Sequence, residues 1–220
     1  MKILLHISRI ILGIAFTFSG FVKGIDPWGS AYKFIDYFNA MGLGFMEPAA
    51  FPLGVLLALA EFLIGVALLF ALFPRLASWG ALLFMAFFTP LTLWIALTNP
   101  VSDCGCFGDA IVLSNWATFY KNILFILLAL FVFIHRNKIK CLFSQKIAGT
   151  AGMAAFLLYC AVVVWSIRHE PLFDFRPYHV GVNIPEDMSV PADAPKDVYE
   201  NTFYYKNRKT GDVRKFTEEN

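Results

Sequence analysis

The sequence predicts an all-α integral membrane protein with five spans and a short polar tail. Three observations predict it. The chain is 58% hydrophobic, with a mean hydropathy of +0.63, where a soluble domain runs roughly 45–50% apolar. Five apolar stretches are long enough to cross a bilayer core, which takes about 20 residues. The composition turns polar only after residue 167. A soluble core does not need such an apolar excess, so it has to cover helices facing a lipid bilayer.

The spans are roughly Ile3–Val22, Phe51–Phe73, Leu76–Leu97, Trp116–Ile134 and Ile147–Ile167. Arg9 interrupts the first apolar run and no small-x-small cleavage site follows, so it reads as a span rather than a cleaved signal. Between the first two spans, DPWGSAYKFIDYFNAMG predicts an amphipathic interfacial helix near 28–41. Asp26 suits the N-cap and Pro27 the first helical position. Ala31, Phe34, Ile35 and Phe38 form the apolar stripe, and Gly42 is placed to end the helix. Pro74 and Arg75 make the turn between the second and third spans. Trp79, Trp94, Trp116 and Trp165 fall near span ends, as an aromatic belt requires.

Lys and Arg concentrate in short cytoplasmic loops. Arg136, Lys138, Lys140 and Lys146 follow the fourth span, whereas the loop from Thr98 to Asn115 has no Lys or Arg. Lys2 and Arg75 share the basic side. This puts the N-terminus in the cytoplasm and the Thr98–Asn115 loop and C-terminal tail outside it. Lys23 and Lys33 oppose that assignment weakly, offset by Asp26, Asp36 and Glu47 in the same loop. The tail carries a VPADAP linker, and NTFYYKNRKTGDVRKFT then reads as a β-hairpin around a glycine-containing turn. The net charge is only +2, and the basic residues are scattered or flank the spans, so nucleic acid is not an expected partner. The chain has no glycine-rich phosphate loop, HExxH or nucleophile elbow.

Charges inside spans cost roughly 2.5–3.5 kcal/mol each on insertion scales. Arg9 in the first span and Glu61 in the second are the conspicuous ones. An Arg9–Glu61 pair facing the bundle interior is the cheapest way to hold both. Glu61 also suits a second role, relaying protons or binding a ligand headgroup. His6 reads as interfacial. Lys121 opens the fourth span beside the external loop, where it snorkels to the headgroups or lowers the pKa of a nearby thiol.

That loop reads SDCGCFGDA over residues 102–110. Cys141 lies in the basic loop, a hydrocarbon thickness of ~30 Å from Cys104 and Cys106, and Cys160 reads as a small core residue of the fifth span. Cys104 and Cys106 face the oxidising side, where disulfides persist. A C-x-C disulfide closes a very small ring, and Gly105 permits the backbone angles this demands. Strain in such a ring raises the reduction potential and suits exchange. A purely structural disulfide remains open. So does a metal site, although two thiolates without a nearby His are an incomplete zinc set, which Asp103 and Asp109 would have to complete.

Four segments resemble one family. They are the R-x3-G-x2-F-x2-SG-x2-K run (Arg9, Gly13, Phe16, Ser19, Gly20, Lys23), the DP-x-G turn, the AEFLIGVALL segment around Glu61, and the DCGCFGD loop. Together they resemble the MauE/DoxX redox-associated membrane proteins over roughly residues 5–135. The resemblance implies a four-helix bundle core and a link to disulfide formation or quinone-coupled electron transfer outside the cytoplasm. The expected organisation is a four-helix membrane domain over 1–135, a basic loop and fifth span over 136–167, and an external tail over 168–220. The expected function is thiol–disulfide redox chemistry at the bacterial inner membrane. Cys104 and Cys106 would carry it, supported by Glu61, Arg9, Lys121 and Asp103. The partner would be an extracytoplasmic thiol or disulfide protein, and a quinone could be held near Glu61. The alternative is a non-catalytic membrane subunit whose Cys-Gly-Cys bond only shapes a loop.

Overall fold

The computed structural model describes residues 2–101, 103–169, 171–176, 181–183, 185, 189, 200–206, 211 and 213–219. The VPADAP linker lies outside the described residues. The chain divides into two units, Met1–Pro177 and Tyr178–Asn220.

The first unit is helical. Its elements are α1 (Lys2–Ile25), α2 (Pro27–Ala40), α3 (Ala50–Leu69), α4 (Pro74–Thr98), α5 (Asn115–Ile134) and α6 (Gln145–Arg168), with a 3₁₀ turn over Gly44–Ala49. All but α2 are long and apolar enough to cross a membrane. This is a multi-pass membrane protein, and large apolar side chains such as Ile3, Leu56, Leu83, Leu127 and Leu158 stand on its outer surface.

Local chemistry explains the boundaries. Asp26 separates α1 from α2, and its Oδ1 accepts the Gly29 N–H at 2.9 Å, with Pro27 next to it. α2 therefore forms where its cap and stripe predict, and Ala31 and Phe38 are buried as expected. The second span is shorter than its apolar run. α3 stops at Leu69 because Ala71 and Phe73 take left-handed backbone angles (φ 49° and 46°), turning the chain into Pro74. Asn99, also left-handed, ends α4 ahead of Pro100. The Ser114 and Ser144 hydroxyls cap α5 and α6.

α1, α3, α4 and α5 close a four-helix ring, with α1 on α3, α3 on α4, α4 on α5 and α5 on α1. α6 packs outside that ring against α3 and α1, and α2 lies on α3. The α1–α3 contact is the tightest. A Cβ at Gly20 would come within 2.5 Å of the Phe62 backbone nitrogen, and one at Gly65 would overlap the Thr17 backbone. Leu5, Leu12, Phe16, Leu68, Ala81 and Val132 form the core towards the basic end. At that end the Arg75 Nε donates to Asn137 Oδ1 at 3.2 Å. At the opposite end the cysteine loop meets α2.

The second unit contains an antiparallel hairpin, β1 (Glu200–Lys206) with β2 (Val213–Glu219), with Phe203 opposite Phe216 in the register. It spans the segment that reads as a hairpin in sequence. Gly211, in the connection, has φ +79°.

Candidate functional site

The cysteine loop leaves α4 at Asn99 and enters α5 at Asn115. The Asn115 Nδ2 donates to Asn99 Oδ1 at 2.7 Å and to the Val101 carbonyl at 2.9 Å, closing the base of the loop. Within it, Asp103 Oδ1 accepts the Gly105 N–H at 2.9 Å, and Gly105 (φ +64°) turns the chain between the two cysteines. A Cβ at Gly105 would press on the Lys33 stem at 3.0 Å. Asp103 also pairs with Lys33 at 2.7 Å. The Tyr37 hydroxyl donates to the Cys104 carbonyl at 2.6 Å, and the Ser19 hydroxyl donates to the Cys106 carbonyl at 2.5 Å. The loop is thus held by α1, α2 and α5 together.

The Cys104 and Cys106 sulfurs lie 2.7 Å apart as free thiols. Hydrogen bonding to Cys106, with burial and that sulfur's charge, pushes Cys104 above the ordinary thiol range. The same contact brings Cys106 down to about 6, with the Lys121 and Lys23 ammonium groups adding to the effect and burial and Glu61 opposing it. Burial, then the adjacent Cys104, keeps the Tyr37 phenol protonated, so it remains a donor. Burial and the Asp26 charge raise Asp109.

Below the loop the four-helix ring opens into a largely apolar cavity of about 550 Å³. Cys104, Cys106, Lys23, Glu61 and Lys121 line it, among the rings of Phe16, Phe84, Phe88 and Phe125, with Pro171 and residues 173–176 after α6. Inside, Lys23 pairs with Glu61 at 2.7 Å, with side chains only 15% and 8% exposed. Lys23 also donates to Ser19 Oγ at 3.1 Å. Hydrogen bonds therefore run from Glu61 through Lys23 and Ser19 to the Cys106 backbone.

One expectation from the sequence is corrected by the packing. Arg9 does not pair with Glu61. Its guanidinium donates to the Leu68 carbonyl, and to the Leu69 carbonyl at 3.0 Å, filling acceptors left open at the C-terminal end of α3. The antiparallel packing sets Arg9 beside residues two turns beyond Glu61, about 10 Å away by helical rise. The Lys121 ammonium lies 4.2 Å from the centre of the Phe107 ring, at the cavity wall. Sequence reasoning missed Lys23 as a partner for Glu61, and it missed Ser19, Tyr37 and Lys33 as loop anchors. Lys23 had a readable signal, being four residues from Ser19 and thus on the same helix face. His6 and Cys141 are exposed, and Cys160 is partly buried in α6. Among the described residues, no group of three or more His, Cys, Asp or Glu is placed to hold a metal ion.

The family model described as Methylamine utilisation protein MauE matches residues 1–135. The chain belongs to the MauE family. The matched region holds the four-helix ring, α2 and the cysteine loop, with Ser19, Lys23, Lys33, Tyr37, Glu61, Cys104, Cys106 and Lys121, while the cavity-lining residues after α6 fall outside it. α6 and the hairpin lie beyond it. No curated protein and no solved structure matches the chain.

Proposed function

We propose that this MauE-family protein performs thiol–disulfide redox chemistry at the outer face of the bacterial inner membrane. In this reading it passes electrons from the thiols of an extracytoplasmic protein, through Cys104 and Cys106, to a quinone in the cavity. The observation that carries the reading is the placement of two adjacent sulfurs on the wall of an apolar cavity within the spans. A disulfide needs only a small movement of the two sulfur atoms towards each other and the loss of two protons and two electrons.

The cavity suits a quinone on its own chemistry. Phe16, Phe84, Phe88 and Phe125 offer aromatic and apolar surface, while Lys23, Lys121 and Glu61 offer polar contacts. Bound there, a quinone supplies a two-electron, two-proton acceptor. Cys106 is the thiol available as thiolate at neutral pH, and Cys104 retains its proton. Glu61 and Lys23 form a buried ionic pair on the wall of the same cavity. The orientation with the basic loop in the cytoplasm and the cysteine loop outside belongs to the same proposal, since it supplies the oxidising compartment.

A second reading has support in the loop's anchoring on α1, α2 and α5. In it the Cys-Gly-Cys bond only shapes a subunit surface. Adding a soluble short-chain quinone to the reduced, detergent-solubilised protein separates the two. The redox reading expects one disulfide formed per hydroquinone, and no reaction in Cys104→Ser or Cys106→Ser variants that remain folded. Equal loss of thermal stability in both variants, with no quinone reduction by the parent protein, would leave the structural reading.

A further inference from the structure

Resting on the redox reading, we propose that Lys23, fixed by Glu61, is a positioning residue that places the negative charge of the dithiol on Cys106. Cys104 is then the sulfur that a partner protein's thiolate attacks.

Charge balance inside the bundle carries the argument. Lys23 and Lys121 contribute two positive charges to the cavity wall beside the cysteines, and Glu61 contributes one negative charge. One thiolate makes this group neutral, whereas none leaves it at +1 and two leave it at −1. Uncompensated charge is expensive where water is scarce, so the site favours a single thiolate. Geometry selects which sulfur bears it. Lys23 reaches the Cys106 backbone through one hydroxyl, Ser19, and Lys121 lies over the ring of Phe107, the residue after Cys106. Cys104 instead has the neutral Tyr37 phenol as its neighbour, bonded to its carbonyl and its thiol, while Lys33 is already paired with Asp103; Lys121 acts on both sulfurs, and Lys23 with Ser19 is the contact particular to Cys106. The other charged groups described on this wall are held elsewhere: Asp174 pairs with Arg176, Lys33 with Asp103, Asp26 caps α2, and burial raises Asp109, so Lys23, Lys121 and Glu61 are the charges that act on Cys106.

The exchange follows from that asymmetry. In the oxidised pair the better-stabilised thiolate is the better leaving group. A partner thiolate attacks the Cys104 sulfur, a new S–S bond forms, the Cys104–Cys106 bond breaks and its electron pair stays on Cys106. The partner's second thiolate then attacks the mixed disulfide at the partner's own sulfur. This forms the partner's disulfide, and Cys104 leaves and takes up the proton that thiol has lost. Two thiols have been oxidised and one disulfide reduced.

Alkylation of the reduced, full-length protein with limiting iodoacetamide from pH 4 to 10 tests this, with mass spectrometry locating the label. Label should appear first on Cys106. Lys23→Met should move the midpoint of its pH profile up by about one unit, and Glu61→Gln should move it down. The double variant should fall between them, and Lys23→Arg should restore the parent profile. A role limited to holding helices together would not give opposite shifts that cancel. First labelling of Cys104, or a midpoint that neither single variant moves, would overturn the proposal. If the assignment holds and a quinone still fails to oxidise the pair, the redox reading falls while this placement of charge stands.

Discussion

The bundle buries a basic side chain against α3 at each of two levels, and the chain treats them differently. Towards the basic end, Arg9 donates to the last carbonyls of α3, far from the thiols and the cavity. Towards the cysteine end, Lys23 meets a carboxylate, lines an open cavity and connects through Ser19 to a reactive loop. Both satisfy the requirement that buried charge be partnered. Arg9 completes a helix end, whose partial negative charge already favours a cation. The Lys23–Glu61 pair instead carries full opposite charges beside sulfurs whose protonation responds to them. A buried charge in a membrane bundle is therefore read by its neighbours, not by its rarity.

Of these charges, Glu61 should matter most for stability. Glu61→Ala leaves Lys23 buried without its carboxylate, and unfolding in detergent should become easier by about 3–5 kcal/mol. Combining Lys23→Met with Glu61→Leu should recover most of that stability without recovering the parent rate of thiol oxidation. A double variant as unstable as the sum of the singles would mean that the two charges do not depend on each other.

Arg9→Met should cost less, about 1–3 kcal/mol, because it strips hydrogen bonds from carbonyls rather than isolating an opposite charge. The pH profile of cysteine alkylation should stay unchanged. A shifted profile would connect the two levels and undo the distinction between them.

The outer pair of Lys33 and Asp103 should matter least for stability. Its side chains are 26% and 18% exposed, and Lys33→Met should cost about 0.5–1 kcal/mol. Its signature is elsewhere: a loosened loop should expose Cys104 to faster proteolysis and labelling around residues 103–109. Unchanged protection would show that Ser19 and Tyr37 hold the loop without it.

Much of this was legible in the sequence. Length and hydropathy located the spans, Asp26-Pro27 and the Ala31–Phe38 stripe located α2, and two short strand-like runs around a glycine-containing turn located the hairpin. The cysteine loop stood out because it is polar, short and lies between two long spans. The partner of Glu61 was not legible, because antiparallel register is a property of packing. Gly20 against Phe62 and Gly13 against Leu69 set how far α1 slides along α3. That register brings Lys23, not Arg9, level with Glu61. Hydropathy reads depth to within a few residues, while an ion pair requires it within one turn. The end of α3 was missed for a related reason: Ala71 and Phe73 take left-handed angles that no residue preference at those positions announces.

If Cys104 and Cys106 interconvert between dithiol and disulfide in function, thiol labelling of the solubilised protein across a series of redox buffers should show it. A two-electron transition of this pair is expected at a potential above about −300 mV, the region below which structural disulfides usually lie. A transition well below that value, or two thiols that stay free under strongly oxidising buffers, would contradict that expectation.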